Sequence, residues 1–94
     1  MNGPRHDWSV PHVGAHKHSS NHRAELERSA ACGCFFCLAI YPPSHIAEWI
    51  DDDGVPMTAL CPQCGIDSVI GAASGFPIEV TFLQTMKAYW FAGL

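Results

Sequence analysis

Two pairs of cysteines in this chain have the spacing of a metal site. Cys34 and Cys37 form the first pair, Cys61 and Cys64 form the second, and two residues separate the members of each pair. A C-x-x-C turn reverses the backbone tightly enough to aim both sulfurs at one point. Thiolates are soft ligands, and structural Zn²⁺ takes four ligands in tetrahedral geometry. The sequence therefore predicts a structural Zn²⁺ site held by these four cysteines.

Other uses of the cysteines stay open at this point. A redox dithiol or a disulfide needs only one C-x-x-C pair, so two pairs favour a metal, but the ligands alone do not distinguish Zn²⁺ from iron. Cys32 is a fifth cysteine, and it could replace Cys34 as a ligand through a C-x4-C spacing. We expect Cys32 instead to be a small apolar residue packed beneath the first metal turn.

Histidines near the N-terminus suggest a possible second site. His16, His18 and His22 form an H-x-H-x3-H pattern, and Asp67 is the acidic residue that would join them. Such a cluster would make the protein an enzyme or a metal sensor. We favour a solvent-exposed histidine-rich segment that leads into a helix N-cap. A third interpretation is that His22 or Asn21 hydrogen-bonds to the cysteine turns, or that His22 pairs with Asp67. No nucleophile–base or phosphate-loop pattern is present, so we predict no catalytic or cofactor-binding residue.

Charge is distributed unevenly along the chain. The net charge is −4; residues 1–28 contain four of the five Lys and Arg and five of the six His, whereas residues 29–94 contain one Lys against six acidic residues. The acidic, cysteine-bearing part would repel a phosphate backbone, so nucleic acid would have to be bound by the N-terminal segment. Another protein is the favoured partner, and the sequence does not indicate an oligomeric state.

Localisation follows from apolar runs and cysteine usage. The first 14 residues lack the apolar stretch of a signal peptide, and the longest apolar run, residues 35–41, is too short to cross a bilayer. Metal-bound rather than oxidised cysteines suit a reducing compartment. We therefore expect a cytoplasmic protein without membrane association.

The chain is long enough for one domain. Residues 1–18 contain many Gly, Pro and His, show no periodicity and are predicted to be a flexible arm, and residues 19–94 are predicted to form a single zinc-binding domain. The clearest helix begins near Pro77, because apolar residues recur on one stripe from Ile78 to Trp90. We also predict short helices over 21–29 and 45–50, strands over 38–41 and 57–60, and a helical turn over 66–70.

These elements define the predicted fold class. We expect a small α+β protein, a zinc-ribbon or treble-clef-like finger with short strands and a C-terminal amphipathic helix. About 70 ordered residues bury too little apolar surface to be comfortably stable alone. A structural Zn²⁺ typically contributes on the order of 10 kcal/mol of apparent binding free energy, so folding is expected to depend on the metal.

Four segments together resemble a family of small, uncharacterised bacterial cytoplasmic proteins. The segments are AHKHSSNHR at 15–23, CGCFFC at 32–37, CPQCGIDSVIG at 61–71 and SGFPI at 74–78. The resemblance covers residues 15–91 and implies a zinc-finger-like cytosolic protein of bacterial origin, with no activity to transfer. Phe36 and Phe76 stand where this family is expected to have Tyr. A weaker similarity to the treble-clef finger of His-Asn-His nucleases fails, because residues 38–60 contain only one histidine.

The predicted function is that of a binding module. A zinc site closed by four cysteines has no open position for a water or a substrate. We therefore predict a protein-interaction or adaptor module that is not an enzyme. The alternatives are an enzyme or metal sensor built around His16, His18, His22 and Asp67, and nucleic-acid binding through the N-terminal arm.

Overall fold

Five short antiparallel β-strands form two small sheets in the computed structural model, which describes residues 6–51 and 54–92. The strands are β1 Cys32–Cys34, β2 Ile40–Tyr41, β3 Trp49–Asp51, β4 Pro56–Ala59 and β5 Val69–Gly71. The α-helices are α1 Pro11–Gly14, α2 Arg23–Glu27 and α3 Val80–Trp90, and short 3₁₀ turns cover Ala15–His18, Pro43–His45 and Ala72–Ser74. The structure confirms the predicted α+β class, with short strands, a C-terminal helix and a cysteine cluster consistent with a zinc-ribbon-like finger.

Strand β1 is the centre of the first sheet, whose order is β2-β1-β5. Cys32 lies opposite Tyr41 on one side, and Cys34 lies opposite Val69 on the other. The middle residue of β1 is Gly33, and α3 packs directly against it. A Cβ at this position would lie only 2.8 Å from the Cδ1 of Leu83, so there is no room for a side chain. The strand that carries the first cysteine ligand is therefore held by hydrogen bonds on both edges and by α3 on one face.

Strands β3 and β4 form the second sheet, an antiparallel pair with an irregularity between Ile50 and Asp51. Trp49 lies opposite Ala59, so the pair ends two residues before Cys61. The predicted helix over 45–50 is therefore wrong, and the predicted strand over 57–60 is confirmed with its start one residue earlier. A six-residue helix has little stability of its own, whereas a strand here gains ladder hydrogen bonds from β4.

The predicted helical turn over 66–70 is also wrong, because β5 occupies its second half. Val69 and Ile70 are fully buried and pair with β1. Both are β-branched, and such residues fit the pleated surface of a sheet better than a helix. Gly71 continues the strand at a close approach to α2, where a Cβ would collide with the Oγ of Ser29 and lie 2.8 Å from the Cδ2 of Leu26.

Helix α3 supplies much of the second of two core clusters. Its residues Leu83 and Met86 are fully buried and pack with Phe35, Ile70 and Ala15. The helix begins at Val80, three residues after the proline at which the sequence predicted its start, because Glu79 is still extended. None of the helices in the described ranges is long and apolar enough to cross a membrane.

The N-terminal segment packs against α3. Residues 11–18 are helical throughout, and Val13 and Ala15 are buried. The indole Nε1 of Trp90 donates a hydrogen bond to the carbonyl oxygen of His12 at 3.0 Å. Residues 1–5 of the predicted arm lie outside the described residues. The division of the chain at residue 18 stays a prediction.

Candidate metal centre

The first cysteine pair lies on a tight turn that leaves the end of β1. The backbone N–H of Leu38 donates to the carbonyl of Cys34 at 2.9 Å, and the N–H of Cys34 donates to the carbonyl of Ala39 at 3.0 Å. Leu38 has a φ of 70°, in the left-handed region that non-glycine residues rarely adopt. Leu38 closes the turn, and the chain then reverses direction and continues as β2. Cys34 and Cys37 therefore lie on the same side of the turn.

The second pair lies on a matching turn after β4. The N–H of Gly65 donates to the carbonyl of Cys61 at 2.8 Å, and the N–H of Cys61 donates to the carbonyl of Ile66 at 2.9 Å. Gly65, which follows this turn, has a φ of 79°, a conformation that glycine adopts without a steric cost. Each pair is therefore presented by a hydrogen-bonded loop that local sequence specifies.

Tertiary packing brings the two turns together. The four Sγ atoms of Cys34, Cys37, Cys61 and Cys64 all lie within 4.8 Å of one another. Across the turns, Cys34 and Cys64 are 3.7 Å apart and Cys37 and Cys61 are 3.6 Å apart, each measured between Sγ atoms. Zn–S bonds of about 2.3 Å in tetrahedral geometry require sulfurs about 3.8 Å apart. The four cysteines are therefore positioned to hold a metal ion of this size.

Backbone N–H groups point at the sulfurs. The N–H groups of Phe36 and Cys37 donate to the Sγ of Cys34 at 3.3 and 3.4 Å, and the N–H of Gln63 donates to the Sγ of Cys61 at 3.4 Å. Hydrogen bonds of this kind stabilise the thiolate form of a cysteine, which is the form that binds metals. The turns thus position the four sulfurs, and their N–H groups favour the thiolate form of the two sulfurs that they contact.

Two side chains outside the C-x-x-C turns contact these sulfurs. The Oγ of Ser68 lies 3.0 Å from the Sγ of Cys34, and Ser68 is 1% exposed. The hydroxyl of Tyr41 is buried without a hydrogen-bond partner of ordinary geometry in the described part of the chain, and it faces Cys61. Metal ligands are commonly oriented by such neighbours. Sequence reasoning missed both, because neither residue has a characteristic spacing from the cysteines.

The cysteine pKa values differ across the cluster. Burial raises the pKa of Cys61, but the Tyr41 hydroxyl and the N–H groups of Cys64 and Gln63 outweigh burial and hold that pKa at about 7. Burial and the neighbouring sulfurs of Cys34 and Cys61 raise the pKa of Cys64 to about 12. Sulfurs this close repel each other when all are ionised, and a bound divalent cation relieves that repulsion.

Cys32 does not belong to the sulfur cluster. It is fully buried in β1, and burial raises its pKa to about 11. It packs in a buried apolar cluster together with Leu26, Tyr41 and Val69. The structure therefore supports the expectation of an apolar packing role for Cys32 rather than the C-x4-C alternative.

The three histidines of the H-x-H-x3-H pattern do not converge on one point. His18 Nδ1 lies 2.9 Å from a carboxylate oxygen of Glu25, and both ring nitrogens of His22 are used in hydrogen bonds. His16 stacks on Trp90 with ring centroids 3.9 Å apart. Within residues 6–51 and 54–92, the four cysteines are the one group of three or more potential ligand side chains close enough to hold an ion. The alternative of a second metal site at these histidines is therefore not supported by the described structure.

His16 and Asp67 do line a common pocket, although they do not form a metal site. The pocket has a volume of about 300 Å³ and lies between the second cysteine turn and the end of α3. Phe35, Trp90 and Phe91 supply aromatic surface to it. The sequence placed Trp90 on the core stripe of the last helix and gave no signal for this pocket, because its walls come from segments distant in the chain.

Comparison with protein-family models, with curated proteins and with solved structures found no significant match to this chain. The class of protein defined by the fold and the site is a small α+β module with a four-cysteine cluster that could bind a metal ion, which suggests zinc. The resemblance to a bacterial family stays a prediction from sequence motifs.

Proposed function

We propose that Cys34, Cys37, Cys61 and Cys64 bind one Zn²⁺ and that this ion has a structural role in a protein-interaction module. The observation that carries the proposal is the convergence of four Sγ atoms within 4.8 Å, at cross-turn distances close to those of tetrahedral zinc thiolates. Zn²⁺ is favoured over harder cations because all four donors are sulfur. A cytoplasmic location and membership of the bacterial family are part of the same proposal.

A structural role is supported by where the cluster lies. The sulfurs join the turn after β1 to the turn after β4, and these two turns are separated by 23 residues of chain. The surrounding strands contain at most four residues each, and sheets this small are marginal in isolation. A bond from each turn to one ion therefore fixes the two sheets relative to each other. Four protein ligands also fill a tetrahedral shell, so the site is suited to structure rather than to hydrolysis.

The interaction role is supported by exposed apolar side chains on the small sheets. Ile40 on β2, Ile50 on β3 and Val55 in the loop before β4 are 44%, 40% and 56% exposed. Ile40 lies on an edge strand, and β3 and β4 each have one unpaired edge in the described structure. Exposed apolar residues beside open strand edges are a common basis for contact with another polypeptide.

The metal is tested by elemental analysis of protein purified under reducing conditions and by Co²⁺ substitution. We expect one Zn²⁺ per chain and, for the Co²⁺ form, the absorption of a tetrahedral tetrathiolate complex. Cys37→Ser should lower the zinc stoichiometry and abolish the cooperative melt, because it removes one of the four metal ligands. The side chain of Cys37 has little buried surface to lose, so the loss of packing contributes little to this effect. Cys32→Ala is the matched control and should keep one Zn²⁺ per chain. Wild-type protein free of stoichiometric metal that still melts cooperatively would refute the proposal.

A further inference from the structure

The pocket between the second cysteine turn and the end of α3 has an aromatic wall and one acidic edge. Its wall is formed by Phe35, Trp90 and Phe91, and the ring centroids of Phe35 and Phe91 are 5.8 Å apart. The exposed carboxylate of Asp67 lies at its edge. A volume of about 300 Å³ is at the lower end of ligand pockets, which suits one small ligand or one inserted side chain.

The charged side chain in the lining of this pocket is acidic. The described residues that line it include Asp67 but no Lys or Arg. The hydroxyl of Ser68, another lining residue, contacts Cys34 of the metal cluster. Four thiolates with one divalent ion carry a net charge of −2, so the metal centre behind Ser68 adds to the negative potential. This part of the argument rests on the proposed metal site.

His16 completes the pocket without adding charge near neutral pH. Its imidazole stacks on the indole of Trp90 and lies 5.9 Å from the ring of Phe35, measured between centroids. Burial lowers the pKa of His16, and the charge of His6 lowers it further, against an opposing effect of Asp67. A neutral imidazole offers a hydrogen-bonding nitrogen and does not repel a cation.

We propose that this pocket binds an alkylammonium or guanidinium group, with the positive charge against the aromatic wall of Phe35, Trp90 and Phe91 and within reach of Asp67. Aromatic faces attract cations through the negative charge of the π system, and desolvation strengthens this attraction. A carboxylate at the rim fixes the orientation by a charge-assisted hydrogen bond. The same chemistry is carried by a free amine or guanidine compound and by a Lys or Arg side chain of a protein partner.

The binding is tested by NMR titration of the zinc-loaded protein, following the indole N–H resonance of Trp90. The probes are n-butylammonium and n-butylguanidinium, with n-butanol and n-butylurea as their neutral counterparts. We expect saturable shifts with the two cations, and at least a tenfold weaker effect with the neutral compounds. Asp67→Asn should weaken cation binding about tenfold, which corresponds to about 1.4 kcal/mol. Asp51→Asn removes an exposed carboxylate on β3 that does not line the pocket, and should leave binding unchanged.

A short peptide that contains one Arg distinguishes a side chain of a protein partner from a free cation as the source of the bound group. The same peptide with citrulline in place of Arg is the neutral control. Tighter binding of the Arg peptide than of n-butylguanidinium assigns the pocket to a protein side chain, and equal or weaker binding assigns it to a free cation. Equal binding of charged and neutral probes, no saturable binding of either cation, or unchanged affinity in Asp67→Asn would overturn the inference. Zinc content is measured on the same samples, so absence of the metal is recognised separately from failure of the pocket.

Discussion

His22 accepts a hydrogen bond from the backbone N–H of Ala59 through its Nε2, at a distance of 3.0 Å. Its other ring nitrogen, Nδ1, donates to the carbonyl oxygen of His18 at 2.6 Å. One imidazole therefore connects the start of α2 to β4, the strand that leads into the second cysteine turn. The two partners also fix the tautomer, because a carbonyl oxygen requires a proton on Nδ1 and a backbone N–H requires a lone pair on Nε2.

The first prediction is that His22 stays neutral below its ordinary titration range. Burial lowers its pKa from 6.5, against smaller opposing effects of the His18 carbonyl and Glu25. Because the pKa is lower in the folded than in the unfolded state, this group's contribution to stability is complete above about pH 6.5 and is lost as pH falls below that value toward the folded pKa. Nitrogen-resolved NMR of the imidazole should show the Nδ1–H tautomer and a midpoint below 6.5.

Replacement by glutamine isolates this contribution. Gln at position 22 does not titrate, so the free energy of unfolding of His22→Gln should fall less steeply than that of wild type as the pH is lowered from 7 to 5.5. His45→Gln is the matched control, because His45 is exposed, and it should keep the wild-type slope. Equal slopes for wild type and His22→Gln at equal zinc content would contradict the assignment.

The second prediction concerns the hydroxyl of Ser68, which contacts the sulfur of Cys34 at 3.0 Å. With Cys34 as a thiolate, the hydroxyl must donate this bond. Ser68→Ala should weaken Zn²⁺ affinity about tenfold, the lower end of the range for residues that orient metal ligands. It should also destabilise the zinc-loaded protein by about 1 kcal/mol through the lost hydrogen bond. Competition with a chelating indicator measures the affinity.

Ser44→Ala is the control for this measurement, since Ser44 is exposed in the Pro43–His45 turn and lies outside both cysteine turns. It should leave both quantities unchanged. An affinity for Zn²⁺ in Ser68→Ala equal to that of wild type would show that the contact does not support the site.

The third prediction concerns the close approach of β5 to α2. A methyl group on Gly71 would collide with the Oγ of Ser29, which donates to the carbonyl of Glu25 at 2.8 Å and accepts from the N–H of Ala73 at 3.0 Å. The Ser29 hydroxyl would have to move, and both of these hydrogen bonds would be disrupted. Gly71→Ala should therefore destabilise the protein by about 2 kcal/mol, as is typical of overpacking. Urea unfolding of the zinc-loaded protein measures the change.

Ala72→Ser adds one heavy atom at the next residue, which is exposed, and should change stability by less than about 0.5 kcal/mol. A Gly71→Ala variant as stable as this control would mean that α2 and β5 are not in close contact.

Local signals in the sequence were sufficient for the two cysteine turns and the last helix. The C-x-x-C spacing, Gly65 with its positive φ, and the apolar stripe from Ile78 to Trp90 each act within a few residues of chain. The α+β class followed from them. The helical predictions over 45–50 and 66–70 were wrong, because Trp49 and Ile50 belong to β3 and Val69 and Ile70 belong to β5. Strand β5 gains its hydrogen bonds from β1, which is distant in sequence, whereas β3 gains them from the next strand along the chain, β4.

The sequence by itself thus determined which sulfurs are presented on turns and that the last helix has an apolar face. Only the tertiary structure decided that the four sulfurs meet within 4.8 Å, that His22 joins α2 to β4 instead of forming a metal site with His16 and His18, and that Asp67 and Trp90 line one pocket. The physical reason is that turns and helices are stabilised by contacts a few residues apart. Sheets, pockets and the neighbours of metal ligands depend on packing between segments that no local pattern encodes.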